Sequence, residues 1–185
     1  MIIGIDTSVG TSVVVVDAAG AVLGARSSAD PRGHAEAIGV FLAAALADAK
    51  AGPADVDAVA VGMGPGAYTG LRVGIAAARA FAFGRGIPLL PVPSHDGIRE
   101  SLGLDEAVAV ATRAGRRGWY VSAGAGTRLV HEEPAGAVLV GEVDAAGLVR
   151  VALGRRAAGE PTGPAQPLYL REPDVAPPSR KRVTG

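Results

Sequence analysis

Val61-Gly62-Met63-Gly64-Pro65-Gly66-Ala67-Tyr68-Thr69-Gly70-Leu71-Arg72-Val73-Gly74 leads from an apolar strand, through a glycine-rich turn, into a helix with few large side chains. The glycines permit a sharp turn with close backbone approach, and Pro65 restrains it. Such a turn can cradle an anion on N–H groups at a helix start, which makes Gly64 and Gly66 candidate nucleotide contacts. It is neither a lysine-bearing phosphate loop nor a dinucleotide fingerprint, because no Gly-Lys-Ser/Thr follows. The helix suggests a second use. Gly70, Gly74, Ala77 and Phe81 fall on successive turns as a small-residue groove, beside an apolar row of Leu71, Ile75, Ala78 and Ala82. One side can pack on a sheet and the other on a second protein; burial on several sides within this chain is the plainer reading. Arg72 and Arg79 would bracket a contact with carboxylates.

Outward from this segment, residues 2–7, 11–17 and 20–27 read as three strands, with Ala19-Gly20 as a tight turn between antiparallel neighbours. A helix is expected over 34–50, burying Ile38, Phe41, Leu42, Ala45 and Ala49, with Gly52-Pro53 as its stop. Asp57 to Met63 supplies a strand. The second helix covers about 69–84, with Thr69 as cap and Gly84-Arg85-Gly86 as its end. Residues 87–92 form a further strand. The order β-β-β-α-β-α-β describes a mixed sheet with helices packed on it. Beyond it, Ala107–Ala111, Trp119–Ala123, Thr127–Glu132, Ala137–Val140 and Leu148–Val151 read as strands of a small, helix-poor second lobe. Arg155 to Pro167 reads as a loop. The division expected is 1–98 for the first lobe, 99–173 for a reduced second lobe and 174–185 for a loose tail.

Composition narrows the function classes. The 185 residues are 49% hydrophobic and 19% charged, as for a folded protein. Cysteine is absent, which excludes a disulfide framework, a thiolate nucleophile and cysteine-based zinc sites, and suits a cytoplasmic setting. No signal peptide or membrane span is expected. Acidic and basic residues number 18 each, so no broad nucleic-acid surface follows from net charge. Local clusters stand at Arg113, Arg116 and Arg117 and at Arg180, Lys181 and Arg182, where solvated surface charge is the plainer reading.

Three groups of polar residues are candidates for chemistry. Asp6-Thr7-Ser8 ends the first strand before Val9-Gly10-Thr11-Ser12, where Asp6 could hold a cation and Thr7 and Thr11 could face phosphate. The ordinary alternative is that they satisfy backbone groups of the hairpin. His34 lacks a second metal ligand one turn later, since Ile38 occupies that place, so no metal site is expected. Ser94-His95-Asp96 has the residue types of a triad, but sequence adjacency does not create triad geometry; Ser94 reads better as a helix cap assisted by Asp96.

The chain resembles the TsaB (YeaZ) family of the tRNA threonylcarbamoyladenosine pathway. The matching motifs are Ile5-Asp6-Thr7-Ser8, Arg32-Gly33-His34-Ala35-Glu36, Gly62 through Gly74, and Pro167-Leu168-Tyr169-Leu170-Arg171. The resemblance implies an actin/sugar-kinase/Hsp70-like (ribonuclease H-like) α/β fold with mixed sheets. It implies a noncatalytic scaffold or activator of a TsaD-like enzyme that threonylcarbamoylates tRNA adenosine 37. No cofactor is implied for the isolated chain; ATP and Mg belong to partner enzymes, which include a TsaC-like enzyme and a TsaE-like ATPase. A homodimer through the same surface, and tRNA contact through the complex, are further implications. TsaD-like proteins carry a helical histidine pair that is incomplete here, so glycoprotease ancestry does not imply proteolysis. The implied interface is His34, Ile38, Phe41, Leu42, Gly70, Leu71, Arg72, Gly74, Ala77, Ala78 and Phe81, and Gly74→Arg is expected to block association without unfolding the chain. The alternative is a small nucleotide-binding, ATPase-like enzyme using Asp6, Thr11 and the Gly62–Gly66 turn.

Overall fold

A computed structural model describes residues 1–30, 33–124 and 126–170. The expected tail over 174–185, with its basic cluster, lies outside the described residues, as do Arg32 and Arg171 of the family motifs. Near-continuous apolar runs, buried on both faces in the central strands, build a five-stranded sheet: β1 (Ile2–Asp6), β2 (Thr11–Val16), β3 (Val22–Ser28), β4 (Ala58–Gly62) and β5 (Leu89–Val92), ordered β3-β2-β1-β4-β5. β1, β2 and β3 pair antiparallel, and β4 is parallel to β1 and β5. The period of two sends Ile3, Ile5, Val13, Val15, Val59 and Val61 to one face, where α1 (His34–Asp48) and α2 (Tyr68–Arg85) cover them. Ile2, Val14, Val16, Ala58, Ala60, Leu90 and Val92 face the other way, onto α4 (Ala145–Ala157).

Between these helices, α3 (Ser94–Leu102) leads into a second sheet of β6 (Val110–Arg113), β7 (Trp119–Ala123), β8 (Gly126–Val130) and β9 (Val138–Val140), ordered β8-β7-β6-β9. The 98/99 division falls inside α3. No helix among the described residues is long and apolar enough to cross a membrane.

Four local expectations need correction. Leu148–Val151 is part of α4 and not a strand, so the second half of the chain is less helix-poor than expected. Ala145, Leu148, Val149 and Ala152 are fully buried at helical spacing, and Asp144 caps the start by accepting from the Ala146 N–H. This helix extends through Ala157, so the following loop begins later than Arg155. Thr69 does not cap α2; Ala67 occupies the cap position and no side chain bonds there. Gly52-Pro53 is not itself the stop of α1, which ends at Asp48: Lys50 turns left-handed (φ 52°), Gly52 is extended, and the Ala51 N–H donates to the Leu46 carbonyl.

Candidate functional site

Asp6 ends β1 at the centre of the first sheet and is 1% exposed. Its Oδ1 accepts from the Ser8 N–H at 2.7 Å and the Ser8 hydroxyl at 2.6 Å, and its Oδ2 accepts from the Ser94 hydroxyl at 2.6 Å. Ser94 in turn accepts from the Gly64 N–H at 3.1 Å, while its own N–H donates to the Gly64 carbonyl at 2.8 Å. The glycine turn is therefore tied to the end of β1 through Ser94. Gly62 is required here because a Cβ would overlap Asp6 Oδ2. The Ser94 cap reading is corrected accordingly: Pro93 is the cap residue, and the Ser94 hydroxyl turns to Asp6. Burial pushes the Asp6 carboxyl above the ordinary carboxylate range, against the opposing pull of the Ser8 and Ser94 hydrogen bonds.

The other candidates for nucleotide contact are also engaged within the chain. The Thr7 hydroxyl donates to the Gly70 carbonyl at 2.8 Å, and Thr11 Oγ1 lies 2.9 Å from His34 Nδ1. Gly66 packs on the backbone of Ser8. The cleft lined by Asp6, Gly10, Thr11, Ser12 and Val143 holds about 10 Å³, the room of roughly one water. Among the described residues no three His, Asp or Glu side chains converge as a metal cluster.

Ser94-His95-Asp96 diverges into three networks. His95 is 1% exposed, with Nδ1 2.7 Å from Ser122 Oγ and Nε2 2.9 Å from Thr112 Oγ1, which bolts α3 to β6 and β7. Burial, and then the Arg99 cation, push its imidazole down to about 3. Asp96 bonds Arg99 at 3.2 Å and Arg155 at 2.7 Å. The three side chains form no relay.

The helix pair divides differently from the sequence reading. His34, Ile38, Gly70, Leu71, Gly74 and Ala78 are buried within this chain; Phe41, Leu42, Ala77 and Phe81 are half-buried; Arg72 is exposed. The small-residue edge of α2 is filled by the chain itself: a Cβ on Gly70 would press on His34 and the Thr7 carbonyl, and one on Gly74 would overlap Thr7 Oγ1. A side chain at Gly74 meets Thr7 of this chain, which argues against the expectation that Gly74→Arg leaves the monomer folded. The outward surface is offset from the expected one. On α1 it carries Ala35, Gly39, Val40, Ala43 and Ala47; on α2 it carries Arg72, Ala76, Arg79, Ala80 and Phe83. Val40 is 66% and Phe83 89% exposed. A groove of about 400 Å³ lined by Gly39, Leu42, Ala43, Ala47 and Phe81 runs beside them. The spacing 35-39-43-47 is present in the sequence as a four-residue small-side-chain repeat, a pattern that does not by itself say which side faces the sheet. At the start of α2, Arg72 lies over the Tyr68 ring at 4.8 Å, and Tyr169 approaches the same ring at 4.8 Å. The Leu168 N–H donates to the Met63 carbonyl, which brings the Pro167-Leu168-Tyr169-Leu170 motif onto the glycine turn.

Residues 27–169 match the family model described as TsaD: tRNA N6-adenosine threonylcarbamoyltransferase. Uncharacterised proteins of Mycobacterium tuberculosis and Mycobacterium bovis are each 34% identical over 177 residues, covering 84% of this chain and 83% of theirs. A Pseudomonas aeruginosa crystal structure, described as an uncharacterised protein with similarity to peptidase YeaZ, superposes with a TM-score of 0.72 at 24% identity, covering 92% of this chain and 99% of that one. A structure described as YeaZ from Pseudomonas aeruginosa gives 0.70 at 24% identity, covering 91% and 99%. At that identity the two structures speak to the fold, and they agree with the mixed sheets seen here. The chain belongs to the TsaD (tRNA N6-adenosine threonylcarbamoyltransferase) family and has the actin/sugar-kinase/Hsp70-like fold.

Proposed function

We propose that this chain is a noncatalytic accessory subunit that docks a TsaD-like catalytic subunit during threonylcarbamoylation of tRNA adenosine 37. The observation that carries the reading is the outward face of α1 and α2. Ala35, Gly39, Ala43 and Ala47 repeat every fourth residue there, which lets a partner helix approach at the short end of the interaxial range. Val40 and Phe83 stand beside this smooth strip as large apolar side chains, the type that anchors an interface when it is desolvated. Arg72 and Arg79 flank it and suit carboxylates on the partner rim. The Asp6 carboxyl, in contrast, is occupied by three donors from this chain, which favours a structural role over substrate chemistry.

The ATP and Mg of the reaction belong, on this reading, to TsaD-like and TsaE-like partners. A second copy of this chain could occupy the same face when the partner is absent. The test is reconstitution of purified TsaC-, TsaD- and TsaE-like proteins with tRNA, with and without this chain. Threonylcarbamoyladenosine should accumulate markedly faster with it; equal formation in both reactions would overturn the proposal.

A further inference from the structure

Among the described residues no helix packs on one face of the second sheet, whose Ala111, Trp119 and Val121 are nonetheless buried. The inner side of the sheet meets α3 through Ile98 against Val110 and through His95 against Thr112 and Ser122. The opposite face clusters Ala111, Trp119 and Val121 with Ala109, Val130 and Ala137, and no helical residue joins them among the described residues. Register places two arginines on this face. Arg113 of β6 stands opposite Trp119, and Arg128 of β8 stands opposite Val121, two residues along β7. Because β7 lies between them, the two side chains start two strand spacings apart and two residues offset along the strands, roughly 12 Å. Arg116 is exposed on the short turn joining β6 to β7.

These cations differ from a group of arginines that is neutralised within the chain. Arg26, Arg99, Arg150 and Arg155 all pair with carboxylates. Arg113, Arg116 and Arg128 have no carboxylate partner among the described residues. Arg113 instead lies over the Trp119 ring at 4.5 Å, which holds its planar guanidinium along the sheet and partly removes it from water. Glu132 and Glu133 follow β8 and are exposed, but neither bonds any of the three. Separated guanidinium groups without a carboxylate partner among the described residues, one of them held over Trp119, suit a ligand with repeated phosphates better than a single phosphate.

We infer that this face of the second sheet binds the phosphate backbone of RNA through Arg113, Arg116 and Arg128. The choice of RNA among polyanions rests on the function proposed above, whose substrate is a tRNA. Each phosphate neutralised adds about 0.7–0.9 to the slope of log affinity against log salt. Three contacts therefore account for about a 20- to 40-fold loss of affinity between 50 and 200 mM salt.

Fluorescence anisotropy of the full chain with an unmodified tRNA transcript, without partner proteins, tests the site. The wild type should bind at 50 mM salt, and Arg113→Gln/Arg116→Gln/Arg128→Gln should lower the slope by about 2–3. Arg116→Gln alone, on an exposed turn, should lower it by about 0.7–0.9 and guards against misfolding of the triple variant. Lys50→Gln/Arg156→Gln, exposed charges just after α1 and on α4, helices that pack on the first sheet, should leave the slope unchanged. Absence of tRNA binding at 50 mM salt, an equal loss in the control variant, or an unchanged slope in both test variants would overturn the inference. So would binding to anionic phospholipid vesicles in preference to tRNA. No partner subunit is present, so this result stands or falls apart from the reconstitution that tests the scaffold role.

Discussion

The Ser94 hydroxyl donates to Asp6 Oδ2 over 2.6 Å, joining the first turn of α3 to the end of β1 across 88 positions of sequence. The same oxygen accepts the Gly64 N–H, so one hydroxyl holds the strand end, the glycine turn and the helix start together.

Ser94→Ala should therefore cost more than an ordinary serine. It strips a donor from a buried carboxyl and leaves the Gly64 N–H without its acceptor, and each orphaned buried group costs about 1–3 kcal/mol. Urea unfolding should show a loss of about 2–4 kcal/mol with an unchanged m-value. A wild-type midpoint would mean that water replaces both bonds.

Acid should weaken the chain through His95. Its folded imidazole titrates at about 3, whereas the unfolded group takes up its proton at the ordinary value of 6.5. The stability it contributes is complete above 6.5 and is lost as pH falls from 6.5 towards about 3. Over that window the slope approaches about 1.4 kcal/mol per pH unit. His95→Gln removes the titrating group, so its denaturation midpoint should vary less with pH between 6 and about 4. Parallel pH profiles for the two proteins would refute the assignment.

Gly74 is the position where the structure most alters the sequence reading. A methyl added there overlaps the Thr7 hydroxyl, which itself donates to the Gly70 carbonyl. Gly74→Ala should destabilise the isolated chain by about 1–3 kcal/mol. Ala76→Arg, two residues on and exposed, should stay within about 0.5 kcal/mol of wild type. Thermal melts of the two variants check this; equal melting temperatures for Gly74→Ala and wild type would show that α2 can shift away from Thr7.

Much of the first sheet and of the two helices on it was legible because the sheet faces follow a period of two and both helices carry buried stripes at three- and four-residue spacing. The Leu148-Val149-Arg150-Val151 run was misread because β-branched composition outweighed the wider Ala145, Leu148, Val149, Ala152 spacing. What the glycine motif is for was only half legible. Gly62, Gly70 and Gly74 are small because Asp6, Thr7 and His34 of the same chain crowd them, and no local pattern announces contacts across about sixty residues. The Asp6–Ser94 bond was hidden for the same reason. The outward row on α1 was visible as a repeat, but small residues at helical spacing do not reveal which side faces the sheet.

The central claim is that the outward face of α1 and α2 docks a TsaD-like subunit, and the most direct measurement is titration calorimetry of that subunit with wild type and with Ala43→Arg/Phe83→Glu. Both substituted positions are exposed, so the variant should keep the wild-type melting temperature to within a few degrees. Bulk and charge placed on an apolar contact should lower affinity by about 100-fold or more. A folded variant that binds with wild-type affinity would contradict the account.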